Sequence, residues 1–205
     1  MKPTTVLQLL PWPIALAPLG WLGIRFANGA LGANPIEAVI RELGQSALWL
    51  LLATLAVSPL RRRLGWPPLA VLRRPLGLLT CGYALLHLGA YGGLDQAFFW
   101  PAIAADLTKR PFMTLGLAAL LLMLPLAATS PRAVARRLGA TAWRRLHRLV
   151  HPIALLALLH HYWLIKADYR PALVETAVLT LLWGERLVHG VAHWRNRVAR
   201  MEFTR

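Results

Sequence analysis

Six apolar runs separated by arginine-rich breaks leave this chain few folds other than a bundle of membrane-crossing helices. Charge-free stretches lie between Lys2 and Arg25, Glu42 and Arg61, Arg74 and Asp95, Arg110 and Arg132, and Arg148 and Lys166. The first four hold 18 to 22 residues, and at about 1.5 Å per residue each spans a hydrocarbon layer of about 30 Å. The fifth, with 17, extends its reach by snorkelling Arg148 and Lys166. A sixth run of 14 positions between Arg170 and Glu185 must continue past Arg186 toward His193, with a polar inner end. Hydrophobic residues make up 57% of the 205 and charged residues only 15%, a balance foreign to soluble domains.

These runs predict one all-α membrane domain over residues 1–205, with six transmembrane helices near 7–24, 43–60, 75–93, 111–129, 147–165 and 171–193. The first run does not read as a cleaved signal peptide, because Lys2 is its only leading positive charge and Pro11, Pro13 and Pro18 interrupt its apolar core. With the N-terminus inside, 17 of the 23 basic residues fall on the inner side and six on the outer, so both termini are expected to be cytoplasmic. The net charge of +15 lies between apolar runs and forms no single basic face, which argues against nucleic acid. The longest inner loop, Ser130 to Arg145, reads as a basic anchor lying on the membrane surface.

Cys81 is the single cysteine, which excludes an internal disulfide framework and any cysteine-held cluster or structural zinc. No internal repeat, P-loop, G-x-G-x-x-G, H-E-x-x-H or G-x-S-x-G segment occurs. Metal chemistry must rest on histidine or carboxylate. His87, His147 and His160 sit in or at the mouths of spanning runs, where an ionisable ring is costly unless it serves a function.

His87 follows Arg74 by 13 residues, and His160 follows His147 by 13. Both therefore lie about 20 Å above the inner edge. Two helices, the third and the fifth, each presenting an imidazole at one depth, predict bis-histidine ligation of a b-type haem between them. Covalent attachment is excluded by the absence of C-x-x-C-H. Ideal phase favours a different ligand: a separation of 13 sets His147 and His160 about 140° apart, whereas His161 comes within about 40° of His147. Pro152 interrupts that phase, and His151, one turn above His147, is a further candidate. Spacing leaves His160, His161 and His151 open.

The segments RRPLGLLTCGYALLHL (Arg73 to Leu88), KRPFMTLGL (Lys109 to Leu117) and WRRLHRLVHPIALLALLHHYWLIK (Trp143 to Lys166) resemble the MsrQ (YedZ) family. These are haem-binding membrane subunits of the bacterial periplasmic methionine-sulfoxide reductase system, within the ferric-reductase-like transmembrane group. The resemblance covers nearly the whole chain and implies haem-associated positions at His87, His147 and His160, with His151 and His161 ranked second. Relatives with two stacked haems carry a second histidine on the third helix. Here that position falls near Arg73, which stays protonated and cannot ligate, so His147 has no evident partner.

The resemblance implies an electron-transfer subunit of the bacterial inner membrane with no substrate site of its own. It implies haem b, and FMN for which the sequence has no fingerprint. Electrons would come from the quinone pool or a cytoplasmic flavin reductase and leave to a periplasmic, molybdopterin-containing methionine sulfoxide reductase. The outer loop from Gly92 to Arg110, with Phe98, Phe99 and Trp100, is the expected docking surface or an interfacial anchor. Competing readings are a stand-alone ferric reductase, for whose nicotinamide and flavin domain 205 residues leave no room, and a transporter using the histidines as a proton relay.

Overall fold

The computed structural model describes residues 7, 9–165 and 168–202, with the side chains of 193 and 196–202 outside the described set. Every regular element is helical. Helix α1 (Pro11–Ala27) leads to α2 (Pro35–Arg63), a 3-10 helix (Pro67–Leu72) and α3 (Arg73–Ala90). A π-helical turn (Tyr91–Asp95) and α4 (Trp100–Lys109) follow, then α5 (Pro111–Ala128), the short α6 (Arg132–Leu138) and α7 (Ala140–His147), α8 (Val150–Leu164) and α9 (Arg170–Glu202).

Helix starts follow local chemistry. Asn34 caps α2 by accepting from the Glu37 amide at 3.1 Å, with Pro35 in the first turn. The Arg61–Arg63 triplet closes the same helix, where cations meet the carbonyl end of its dipole. Pro111 opens α5 as Pro35 opens α2. Gly139, at φ 80°, separates α6 from α7 in a conformation that side-chain-bearing residues avoid.

Among the described residues, three segments are long and apolar enough to cross a membrane: Pro35–Arg63, Pro67–Asp95 and Pro111–Ala128. They correspond to the second, third and fourth expected spans. The fifth differs from its predicted bounds. Pro152 has no amide hydrogen to continue the ladder, and the chain turns at Arg148 and Leu149, so α8 keeps only 15 residues and His147 belongs to a separate helix. The sixth extends to 33 residues and is not free of charge, since Glu175 lies within it. The outer loop from Gly92 to Arg110 holds a helix of its own, α4.

The core gathers Leu48, Leu51, Leu52 and Leu55 of α2, Cys81 of α3, Ala119 and Met123 of α5, Ile153, Ala154 and Leu158 of α8, and Leu179 of α9. Helix α2 packs along α3, and α5 along α8, in the two most extensive pairings. Outward faces stay apolar, with Trp21, Phe26, Leu181 and Val188 all exposed, as a lipid-facing surface requires. Helix α1 joins through Ala15, Leu43, Tyr83 and Ala90, and the Tyr83 hydroxyl donates to the Ala15 carbonyl. Tyr83→Phe removes that tie and is expected to cost about 1 kcal/mol, read as a lower melting temperature in detergent.

Candidate metal centre

His87 and His160 are held by the same construction, repeated on two helix pairs. The His87 ring of α3 lies against Gly44 of α2, and its Nδ1 is 2.8 Å from the Ile40 carbonyl. The His160 ring of α8 lies against Gly116 of α5, with Nδ1 2.7 Å from the Phe112 carbonyl. In each case the acceptor stands four residues before the glycine, so one carbonyl serves both the helix ladder and the ring. A Cβ at Gly44 would come within 2.9 Å of the His87 ring, and one at Gly116 within 2.8 Å of His160. Only glycine lets these helices approach their neighbours' imidazoles so closely.

A carbonyl only accepts, so Nδ1 carries the proton in both rings and Nε2 keeps a free lone pair. This is the tautomer of a metal-ligating histidine, whose other nitrogen is usually committed to a carbonyl or carboxylate. The ring centres of His87 and His160 are 6.1 Å apart with planes at 82°. With metal–nitrogen bonds of about 2 Å, two imidazoles at this separation could hold one metal ion between them. Helices α3 and α8 do not pack extensively on each other. Among the described residues no group of three or more His, Cys, Asp or Glu side chains gathers as a metal cage. The arrangement is a pair, suited to the two faces of a planar metal complex.

The other histidines separate on the same criterion. His147 also donates from Nδ1, to the Trp143 carbonyl at 3.1 Å, and stacks on the Trp143 indole at 3.9 Å. Trp143 in turn donates to the Thr129 carbonyl and fixes α7 to the end of α5. Its Nε2 is free in the same sense, yet no second imidazole faces it among the described residues. His151 accepts from Trp183 Nε1 at 3.1 Å. An indole N–H only donates, so His151 carries its proton on Nε2 and offers iron no lone pair there. His161 turns to α9, with Nε2 3.4 Å from Glu175. The break at Arg148 and Leu149 also uncouples the phase of His147 from that of His160, which removes the helical-phase argument for His161.

Sequence reasoning passed over Gly44, Gly116, Gln45 and Glu175. Isolated glycines inside spanning helices were the available signal for the first two. A carboxylate inside the sixth run was the signal for Glu175. That side chain is wholly buried, its Oε1 accepts from Gln45, and His161 lies beside it. The cluster joins α2, α8 and α9 next to both Gly44 and His160.

Among the described residues the chain is helical with membrane-length spans, the features of a multi-pass membrane protein, and it brings two carbonyl-bonded imidazoles side by side. Residues 43–158 match the family described as the ferric reductase like transmembrane component. The protein-methionine-sulfoxide reductase heme-binding subunit MsrQ of Rhodospirillum rubrum is 50% identical over 181 residues, covering 88% of this chain and 87% of the relative. The proteins of that name from Caulobacter vibrioides and Xanthomonas axonopodis are 46% and 42% identical, over 87% and 93% of this chain and 86% and 87% of theirs. The chain belongs to the MsrQ family of ferric-reductase-like transmembrane proteins.

Glu175→Ala would leave the Gln45 amide and the His161 ring facing a void and is expected to cost about 2 kcal/mol. Glu175→Gln keeps the shape and an acceptor and should cost less than half of that. Thermal unfolding of the two purified variants separates them.

Proposed function

We propose that this chain is a haem b-binding electron-transfer subunit of a methionine-sulfoxide reductase system, in which His87 and His160 would hold the haem iron. One observation carries the reading: two imidazoles 6.1 Å apart, each with Nδ1 committed to a backbone carbonyl and Nε2 free. The residues fit the group, because glycine lets each ring seat its Nδ1 on a neighbouring helix and α3 and α8 do not pack extensively on each other. Bound haem supplies reversible one-electron chemistry at iron. The chain's own part is to fix the rings, bury them and keep them neutral. Carbonyl acceptors make an imidazole a stronger donor to metal, and the apolar core around Cys81, Ala119 and Leu158 restricts water.

The whole domain, residues 1–205, is read as six spans in a bacterial inner membrane with both termini cytoplasmic, the three shorter or more polar segments being completed by their basic flanks. Electrons enter from the quinone pool or a cytoplasmic flavin reductase. They leave to a periplasmic, molybdopterin-containing methionine sulfoxide reductase that does the substrate chemistry, so the chain has no catalytic residues itself. Phe98, Phe99 and Trp100, each at least 60% exposed beside α4, provide the docking edge for that partner. FMN rests on the family resemblance alone. His147, in the ligand-ready tautomer, is a candidate for a second haem, with His151 and His161 as structural residues.

The test is haem iron per polypeptide with reduced-minus-oxidised spectra of purified variants. His87→Ala and His160→Ala are each expected to remove the bis-histidine signal, whereas His151→Ala and His161→Ala keep it. A wild-type spectrum in either of the first two overturns the pair. Gly44→Ala and Gly116→Ala are expected to lower haem occupancy several-fold by driving the rings out of place. Gly82→Ala is the control, since an added Cβ there meets nothing within 4 Å.

A further inference from the structure

Away from the imidazole pair, guanidinium groups crowd the end of the bundle where α2 stops and α3 begins. Arg61 and Arg62 lie in the last turn of α2 and Arg73 opens α3 after the short 3-10 helix, while Arg186 of α9 reaches back to α2. Glu185 is the carboxylate among them, and Arg62 engages it. Arg186 spends one Nη2–H on the Leu55 carbonyl at 2.6 Å. The Nε–H groups of Arg73 and Arg186 are both buried and, among the described residues, neither has an acceptor.

A buried donor without a partner costs about 1–3 kcal/mol, more when charged. Two such donors on like-charged, neighbouring side chains call for an acceptor from outside the chain, one with several anionic oxygens. The surroundings favour a lipid as its source. Leu64 and Trp66 are exposed at the turn after α2, and Leu187, Val188 and Val191 are exposed on α9 immediately beyond Arg186. A cavity of about 360 Å³ lined by Leu187, Val188, Val191, Ala192 and Arg195 continues that apolar surface and ends in a further cation. An exposed apolar face of α9 immediately after Arg186 matches an acyl chain joined to an anionic head.

We propose that Arg73 and Arg186 form a binding site for the phosphate of an acidic phospholipid, with the acyl chains lying along the Leu187–Val191 face of α9. Arg62 adds charge but is already paired. Guanidinium forks meet phosphate through two parallel N–H bonds, which accounts for arginine at both positions. The site would make the junction of α2, α3 and α9 sensitive to the lipid around it, independently of what the histidines hold.

The experiment is native mass spectrometry of the full chain released from nanodiscs of phosphatidylglycerol or of phosphatidylcholine. Wild type is expected to retain phosphatidylglycerol and release phosphatidylcholine. The double variant R73Q/R186Q should lose the retained lipid by roughly tenfold or more, while R132Q/R137Q, on the exposed α6, retains it. The bis-histidine signal of the His87–His160 pair is expected unchanged in both variants, so failure here is distinguishable from failure of the haem reading. Equal retention of the two lipids, or full retention in R73Q/R186Q, overturns the proposal. Should the double variant fail to fold, R73K and R186K keep the charge but lose the Nε–H; each is expected to lose lipid, and full retention in both overturns it. A melting-temperature rise of delipidated protein in inorganic phosphate equal to that in phosphatidylglycerol assigns the anion to a free phosphate and overturns the lipid.

Discussion

A ring nitrogen donating to a backbone carbonyl across a glycine is the contact on which the rest of this structure depends. A neutral imidazole inside a bilayer has no water to satisfy it, so one nitrogen must be committed to the protein before the other is available to a metal. Both His87 and His160 meet that requirement with a helix carbonyl of the neighbouring helix. The helix geometry follows from it. Helices α2 and α5 must bring bare backbone to the rings, and Gly44 and Gly116 stand where a Cβ would collide with each ring.

Packing elsewhere holds those contacts in register. With lipid as apolar as the core, helix association draws little from hydrophobic transfer and rests on close fit and on polar ties. The fully buried Ile153 and Ala154 supply the fit where α8 meets the rest of the bundle. The Gln45–Glu175–His161 cluster supplies a polar tie on the next residue along from both Gly44 and His160. Adjacent histidines thus face different neighbours: His160 lies beside His87, and His161 lies beside Glu175 of α9.

Much of this was legible in the sequence, for reasons that can be named residue by residue. Runs free of charge located α2, α3 and α5, and equal distance from the basic ends placed His87 and His160 at one level. The choice between His160 and His161 was not legible from spacing, because it turns on whether α7 and α8 are one helix. Pro152 signalled an interruption, but only the turn at Arg148 and Leu149 shows the phase to be lost. The glycine cradles were hidden for another reason. Gly44 and Ile40 act through absent side chain and backbone oxygen, neither of which a pattern of side-chain types displays. Glu175 was visible as a letter, yet counting the sixth run as apolar passed over it.

The two half-sites are also separated along the chain. The Ile40–His87 contact closes within α2 and α3, and the Phe112–His160 contact within α5 and α8. During synthesis the first half is therefore complete while the second is still to be made, and each half is a self-contained unit of two helices. A ligand that needs both rings finds them only once α8 has been inserted beside α5. A chain ending before α8 would carry only the first of the two rings, so any group that needs both would depend on the whole of the bundle being in place.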